Sequence, residues 1–141
     1  MTATPFRTDA LKEKRILITG GGAGLGKELA RHFVTHGAAV YICGRREAVL
    51  EEAIAELATA AQHGGKVSYH ICDVRDANQI EAMVGRIWAD GPLTGLVNNA
   101  AANFISPSAE ISPRGFAAVW STVMAMFAKN VAPYPSASAM Q

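Results

Sequence analysis

The stretch Arg15-Ile16-Leu17-Ile18-Thr19-Gly20-Gly21-Gly22-Ala23-Gly24-Leu25-Gly26 decides the architecture. Its opening is a short apolar, β-branched run closed by glycines, the pattern of a strand buried on both faces. From Leu25 onward the period changes. Leu29, Ala30, Phe33 and Val34 recur at helical spacing, and Gly37 stands where a left-handed helix cap is wanted. Strand, glycine turn and helix therefore follow one another directly, and the turn delivers backbone amides to a helix N-terminus with no side chains in front of them. An anionic group such as a pyrophosphate needs that arrangement to approach the main chain, and Gly20, Gly24 and Gly26 supply it. Gly22, Ala23 and Leu25 fall in the same turn and are candidate contacts.

The alternation continues along the chain. Ala39 to Cys43 reads as a second strand, and Val49, Leu50, Ala53, Ile54, Leu57, Ala58 and Ala61 stripe a second helix ending near Gly64-Gly65. Val67, Tyr69 and Ile71 form a third strand. Asp76 then caps a helix with Gln79 three residues in, whose buried side is Ile80, Met83, Val84, Ile87 and Trp88. Leu96-Val97 enters a fourth strand, and Ser112-Pro113 starts a further helix carried by Phe116, Val119, Trp120, Val123 and Phe127. Single helices between strands require right-handed crossovers, so the fold class is α/β, a Rossmann-type doubly wound parallel sheet of about four strands. Residues 1–130 make up this nucleotide-binding domain. Residues 131–141, with two prolines among small residues, read as an irregular tail.

The dinucleotide pattern places an acid at the end of the second strand, about 20 residues past the glycines, to accept hydrogen bonds from the adenosine ribose. Gly44-Arg45-Arg46 occupies that position. A glycine leaves room there, and an arginine fork suits a 2′-phosphate. The expected cofactor is NADP(H), with Arg45 and Arg46 on its phosphate. The bland alternative, arginines that merely open a helix in solvent, weighs more on Arg46.

Other partners are disfavoured by composition. Half of the 141 residues are hydrophobic and the formal net charge is +1, which suits neither a polyanion-binding surface nor a disordered chain. Nucleic acid is not an expected partner. No apolar run approaches the roughly 20 residues that span a bilayer, so no membrane partner is expected and the cytoplasm is the default location. Cys43 and Cys72 read as reduced core residues. His32, His36, His63 and His70 read as surface residues, and no metal is expected.

Taken in order, Thr19-Gly20-x-x-x-Gly24-x-Gly26, Cys72-Asp73-Val74 and Asn98-Asn99-Ala100-Ala101 resemble the signatures of the short-chain dehydrogenase/reductase family. The likeness covers about residues 12 to 124. It implies that Asp73 and Val74 meet the adenine, and that Asn99, Ala100 and Ala101 line the path to the nicotinamide. Ala101 stands where the family usually has glycine. The run from Asn98 through Phe104-Ile105-Ser106-Pro107, with Arg75, is similar to the 2,4-dienoyl-CoA reductase branch, which implies an acyl-CoA substrate facing Arg75, Phe104 and Ser112. For these three the alternatives are a solvated loop residue, a core aromatic and a helix cap.

The family commonly uses a Tyr-x-x-x-Lys pair, spaced differently in the dienoyl-CoA branch. Four residues after Tyr41, Tyr69 and Tyr134 come Arg45, Asp73 and Ser138, so no catalytic residue is assigned. A truncated chain that is inactive alone is expected. The resemblance also implies a homo-oligomer, through helices of which this sequence retains at most one. A non-catalytic NADP-binding module, a reductase or dehydrogenase of a different carbonyl or alcohol, and a methyltransferase-type fold remain the other readings, the last disfavoured by Arg45 and the Asn-Asn-Ala-Ala segment.

Overall fold

A computed structural model of the chain describes residues 6–101 together with 112–114 and 117. Along it run β1 (Arg15–Thr19), α1 (Gly24–Thr35), β2 (Ala39–Gly44), α2 (Glu47–Ala60), β3 (Lys66–Ile71), α3 (Ala77–Ala89) and β4 (Gly95–Val97). All strand pairings are parallel and the order across the sheet is β3-β2-β1-β4. The chain therefore winds outward from β1 to β3 and then crosses back to place β4 on the other flank. That reversal opens a crevice at the carboxyl ends of β1 and β4, where doubly wound sheets take their ligands.

Strand alternation divides the core into two layers. Ile16, Ile18, Val40 and Ile42 point to one face and pack with Ala30 and Val34 of α1 and Leu50, Ala53 and Leu57 of α2. Leu17, Tyr41 and Cys43 point to the other, against Ile80, Met83, Val84 and Ile87 of α3. Both faces are covered, which is why β1 and β2 read as continuous apolar runs. Each fully buried Leu, Ile or Met contributes about 1.5–3 kcal/mol, and Leu17 and Ile18 make β1 the centre of both layers.

The helix ends explain how the loops are held. Asp76 accepts hydrogen bonds from Asn78 N and Gln79 N, which is the expected N-cap, while Gln79 Nε2 donates to Asp76 Oδ2 at 2.9 Å in place of the backbone bond of a full capping box. Gln79 Oε1 also accepts from Asp73 N at 3.0 Å, tying the loop after β3 to the start of α3. Gly37 caps α1 at φ +94°. By contrast α1 begins after Ala23 without a side-chain cap, so the amides of its first turn have no side-chain partner there.

Two expectations need correction. Trp88 belongs to the periodic stripe of α3 but is 51 % exposed, because the buried stripe of this helix closes at Ile87. His70 is not a surface residue. It lies opposite Cys43 in the β2–β3 register, so strand parity turns it towards the α3 face, where it is half-buried and its ring stacks on Tyr41 with centroids 6.2 Å apart. Burial, and then the charge of Arg86, hold its imidazole below the ordinary range. Pro113, Arg114 and Ala117 are helical, where Ser112-Pro113 predicts a helix start. Phe116, Val119, Trp120, Val123, Phe127 and the 131–141 tail lie outside the described residues.

Candidate nucleotide site

Thr19 ends β1 with a buried hydroxyl, and Gly20 N donates to Cys43 O at 2.8 Å, carrying the β1–β2 ladder one step into the glycine turn. Gly20 then takes φ +66°, and a Cβ there would lie 3.1 Å from Ala100 Cα. Gly24 also has a left-handed φ, +55°, with open space around it, so backbone conformation rather than room requires glycine at that position. Gly26 answers to the opposite need. A Cβ on it would sit 2.5 Å from both Gly20 O and Asn99 Nδ2, so this glycine lets α1 pack against the end of β1.

The loop after β4 is clamped to the same place. Thr19 Oγ1 accepts from Asn99 N at 3.0 Å and from Ala100 N at 2.9 Å. Asn99 Nδ2 donates in return to Thr19 O at 3.1 Å and Gly20 O at 3.2 Å. The glycine turn and the Asn99–Ala101 segment thus form one rigid wall. Thr19 carries that wall, a role that its place at the head of the glycine signature does not by itself assign.

Together these loops bound a cleft of about 380 Å³ at the carboxyl ends of the strands. Of the expected cofactor residues, Gly20, Gly22, Ala23, Arg45, Arg46, Asp73, Val74, Asn99, Ala100 and Ala101 line it. Gly24, Leu25 and Gly26 do not. Gly26 is buried beneath the turn and Leu25 is exposed beside it. Arg75, expected on the substrate, lines the same cleft. Ser112 is not among the lining residues, and Phe104 lies outside the described residues.

Charge is concentrated at the end of the cleft formed by β2 and β3. Arg45 and Arg46 are exposed and, among the described residues, neither forms an ion pair. Asp73 is gripped by Arg75. The guanidinium donates from Nε to Oδ1 at 3.0 Å and from Nη2 to Oδ2 at 2.6 Å, while the Arg75 backbone amide donates to Oδ1 at 3.0 Å. That grip, chiefly the side-chain hydrogen bond, holds the Asp73 carboxyl down at about 2. Val74 turns its side chain into the α3 layer.

Cys43 and Cys72 also line the cleft, a placement the core reading of these residues does not include. Both are buried and free of disulfides. The hydrogen bond with Cys72, and then burial, push the Cys43 thiol above its ordinary range. Among the described residues no cluster of His, Cys, Asp and Glu is placed to hold a metal ion.

A family model described as short chain dehydrogenase matches residues 14–134. Over 116 residues the chain is 34 % identical to a peroxisomal 2,4-dienoyl-CoA reductase of Arabidopsis thaliana, covering 82 % of this chain and 38 % of the relative. Over 115 residues it is 36 % identical to a probable 2,4-dienoyl-CoA reductase of Bacillus subtilis, covering 81 % and 44 %. Among solved structures, a citronellol catabolism dehydrogenase of Pseudomonas aeruginosa superposes with a TM-score of 0.72 at 36 % identity, over 84 % of this chain and 47 % of that one. The chain spans less than half the length of each.

Proposed function

The chain belongs to the short-chain dehydrogenase family of oxidoreductases, and on that premise we propose that its cleft binds NADP(H) for reduction of an unsaturated fatty acyl-CoA. The observation that carries the cofactor choice is Gly44-Arg45-Arg46 at the mouth of the cleft, two exposed guanidiniums where an acid would repel a 2′-phosphate. The cradle fits the rest of a dinucleotide: a Cβ at Gly20 would crowd the Asn99–Ala100 wall, and α1 presents an uncapped N-terminus.

When bound, NADPH supplies a hydride. The chain's own part is to hold the cofactor. Gly22, Ala23 and the first turn of α1 would take the pyrophosphate, Arg45 and Arg46 the 2′-phosphate, Asp73 and Val74 the adenine. Asn99, Ala100 and Ala101 would flank the nicotinamide. Arg75, Phe104 and Ser112 would face the acyl-CoA, a reading supported by the dienoyl-CoA reductases among the relatives. A second reading, a different carbonyl or alcohol substrate, is supported by the dehydrogenase named for citronellol catabolism at 36 % identity. We propose a cytoplasmic homo-oligomer. Among the described residues no helix is long and apolar enough to cross a membrane, and one relative is named as peroxisomal.

Nucleotide titration tests the cofactor reading. NADPH is expected to bind more tightly than NADH, and Arg45→Ala to remove most of that preference, about 1–3 kcal/mol for a charge-assisted hydrogen bond. Equal affinities of the two nucleotides for the unaltered chain would overturn it.

Activity is the second test. With no catalytic residue assigned among them, these 141 residues are expected to bind the nucleotide without oxidising it in the presence of dienoyl-CoA, enoyl-CoA or simple ketones. Absorbance assays that show turnover tracking the purified protein would contradict this.

A further inference from the structure

Among the described residues that line the cleft, Asp73 is the single carboxylate, against three guanidiniums, those of Arg45, Arg46 and Arg75. An unpaired carboxylate at this end would work against a phosphate in two ways. It would repel the dianion directly, and it would attract Arg45, which forms no ion pair among the described residues and whose charge acts on Asp73. Neither happens while Asp73 is paired within its own loop.

The pairing is local and multiply bonded. Arg75 is two residues from Asp73 and holds it through a side-chain fork and a backbone amide, so little additional chain has to be ordered. The loop is fixed on its other side as well, by Gln79 Oε1 on Asp73 N and by Asp76 N donating to Asp73 O at 2.9 Å. With Asp73 and Arg75 forming a neutral unit, the surplus charge among the described lining residues is that of Arg45 and Arg46.

We propose that Arg75 is a specificity-determining positioning residue: by neutralising Asp73 it makes this end of the cleft accept an adenosine 2′-phosphate and leaves Arg45 uncommitted to bind it. This role differs from contact with an acyl-CoA, and it rests on the NADP(H) reading above. The phosphate is gripped by Arg45 and Arg46, while Arg75 acts through Asp73.

The test compares adenosine nucleotides with and without the 2′-phosphate, measuring calorimetric affinities for 2′,5′-ADP and 5′-AMP, and in parallel for NADPH and NADH. The ratio within each pair removes any effect common to both ligands, such as loss of an adenine contact. Arg75→Gln is expected to lower the 2′-phosphate preference about fivefold, the scale of one uncompensated charge in a solvated cleft. Arg75→Lys should keep most of the preference, and Asp73→Asn combined with Arg75→Gln should restore it. Arg75 is half exposed, and thermal melts of each variant check that the fold is kept. An unchanged ratio in Arg75→Gln, with the unaltered chain still preferring the 2′-phosphate, overturns the inference and leaves the cofactor reading standing. A loss that Asp73→Asn does not rescue also overturns it, since Arg75 would then touch the phosphate itself. No 2′-phosphate preference in the unaltered chain overturns the cofactor reading and the inference with it.

Discussion

Gly26→Ala is expected to abolish measurable NADP(H) binding, a loss of roughly a hundredfold or more, equivalent to about 2.7 kcal/mol or above. The added methyl would stand 2.5 Å from Gly20 O and from Asn99 Nδ2, closer than carbon is found to either atom. Neither neighbour is the free end of a flexible side chain. One is the carbonyl of the turn itself, and the other is an amide held by two hydrogen bonds to Thr19 O and Gly20 O. Relief therefore requires α1 to back away from β1, which breaks the Asn99 bonds and opens the wall of the cleft. Overpacking of this kind costs about 1–3 kcal/mol, and each lost hydrogen bond about 1 kcal/mol more. Gly24→Ala makes an instructive control. Its Cβ meets no protein atom within 4 Å, so its penalty to the fold is only the left-handed backbone, about 1–2 kcal/mol. Fluorescence titration and denaturant melts of both variants check the contrast, and near-native nucleotide affinity in Gly26→Ala would show that the turn can slide.

The two glycines show how far the sequence could be read. Their spacing after an apolar run locates the turn, because a strand, a phosphate-sized gap and a helix N-terminus leave few other arrangements. Their separate duties were not legible. Gly26 matters through Asn99, which is far along the chain and reaches it only when β4 lies beside β1. Arg45 and Arg46 were legible because one short loop carries them from the end of β2 into the cleft. His70 was misread for a reason of register. Val67 and Tyr69 pack with the α1–α2 layer, and the polar residue between Tyr69 and Ile71 looked like an outward one until α3 covered the second face. Cys43 and Cys72 come together only across paired strands, β2 and the exit of β3, where Cys72 N donates to Gly44 O at 2.8 Å. Asp73 and Arg75 are near neighbours in sequence, yet their mutual grip depends on side-chain rotamers that spacing does not dictate.

Thr19 opens the glycine signature, yet its hydroxyl's bonds to the loop after β4 are not legible in the sequence. Thr19→Val is expected to lower stability by about 2–4 kcal/mol, the cost of leaving a half-buried amide unpaired and a second one poorly paired. The substitution keeps the side chain's shape, so no cavity confuses the result. It removes the acceptor of Ala100 N at 2.9 Å outright. Asn99 N loses its 3.0 Å bond and keeps only a 3.1 Å contact with Val97 O, a tight local turn. Since Thr19 is 2 % exposed, water cannot easily take the hydroxyl's place. Against a total stability of about 5–15 kcal/mol for a domain, the loss is large. It should also weaken nucleotide binding, because the freed Asn99–Ala101 segment forms one side of the cleft. Thr19→Ser, which keeps the oxygen, should recover most of both losses. Urea unfolding of the valine and serine variants with and without NADPH measures the two effects. A valine variant within about 1 kcal/mol of the unaltered chain would mean that the β4 loop holds its place without the hydroxyl.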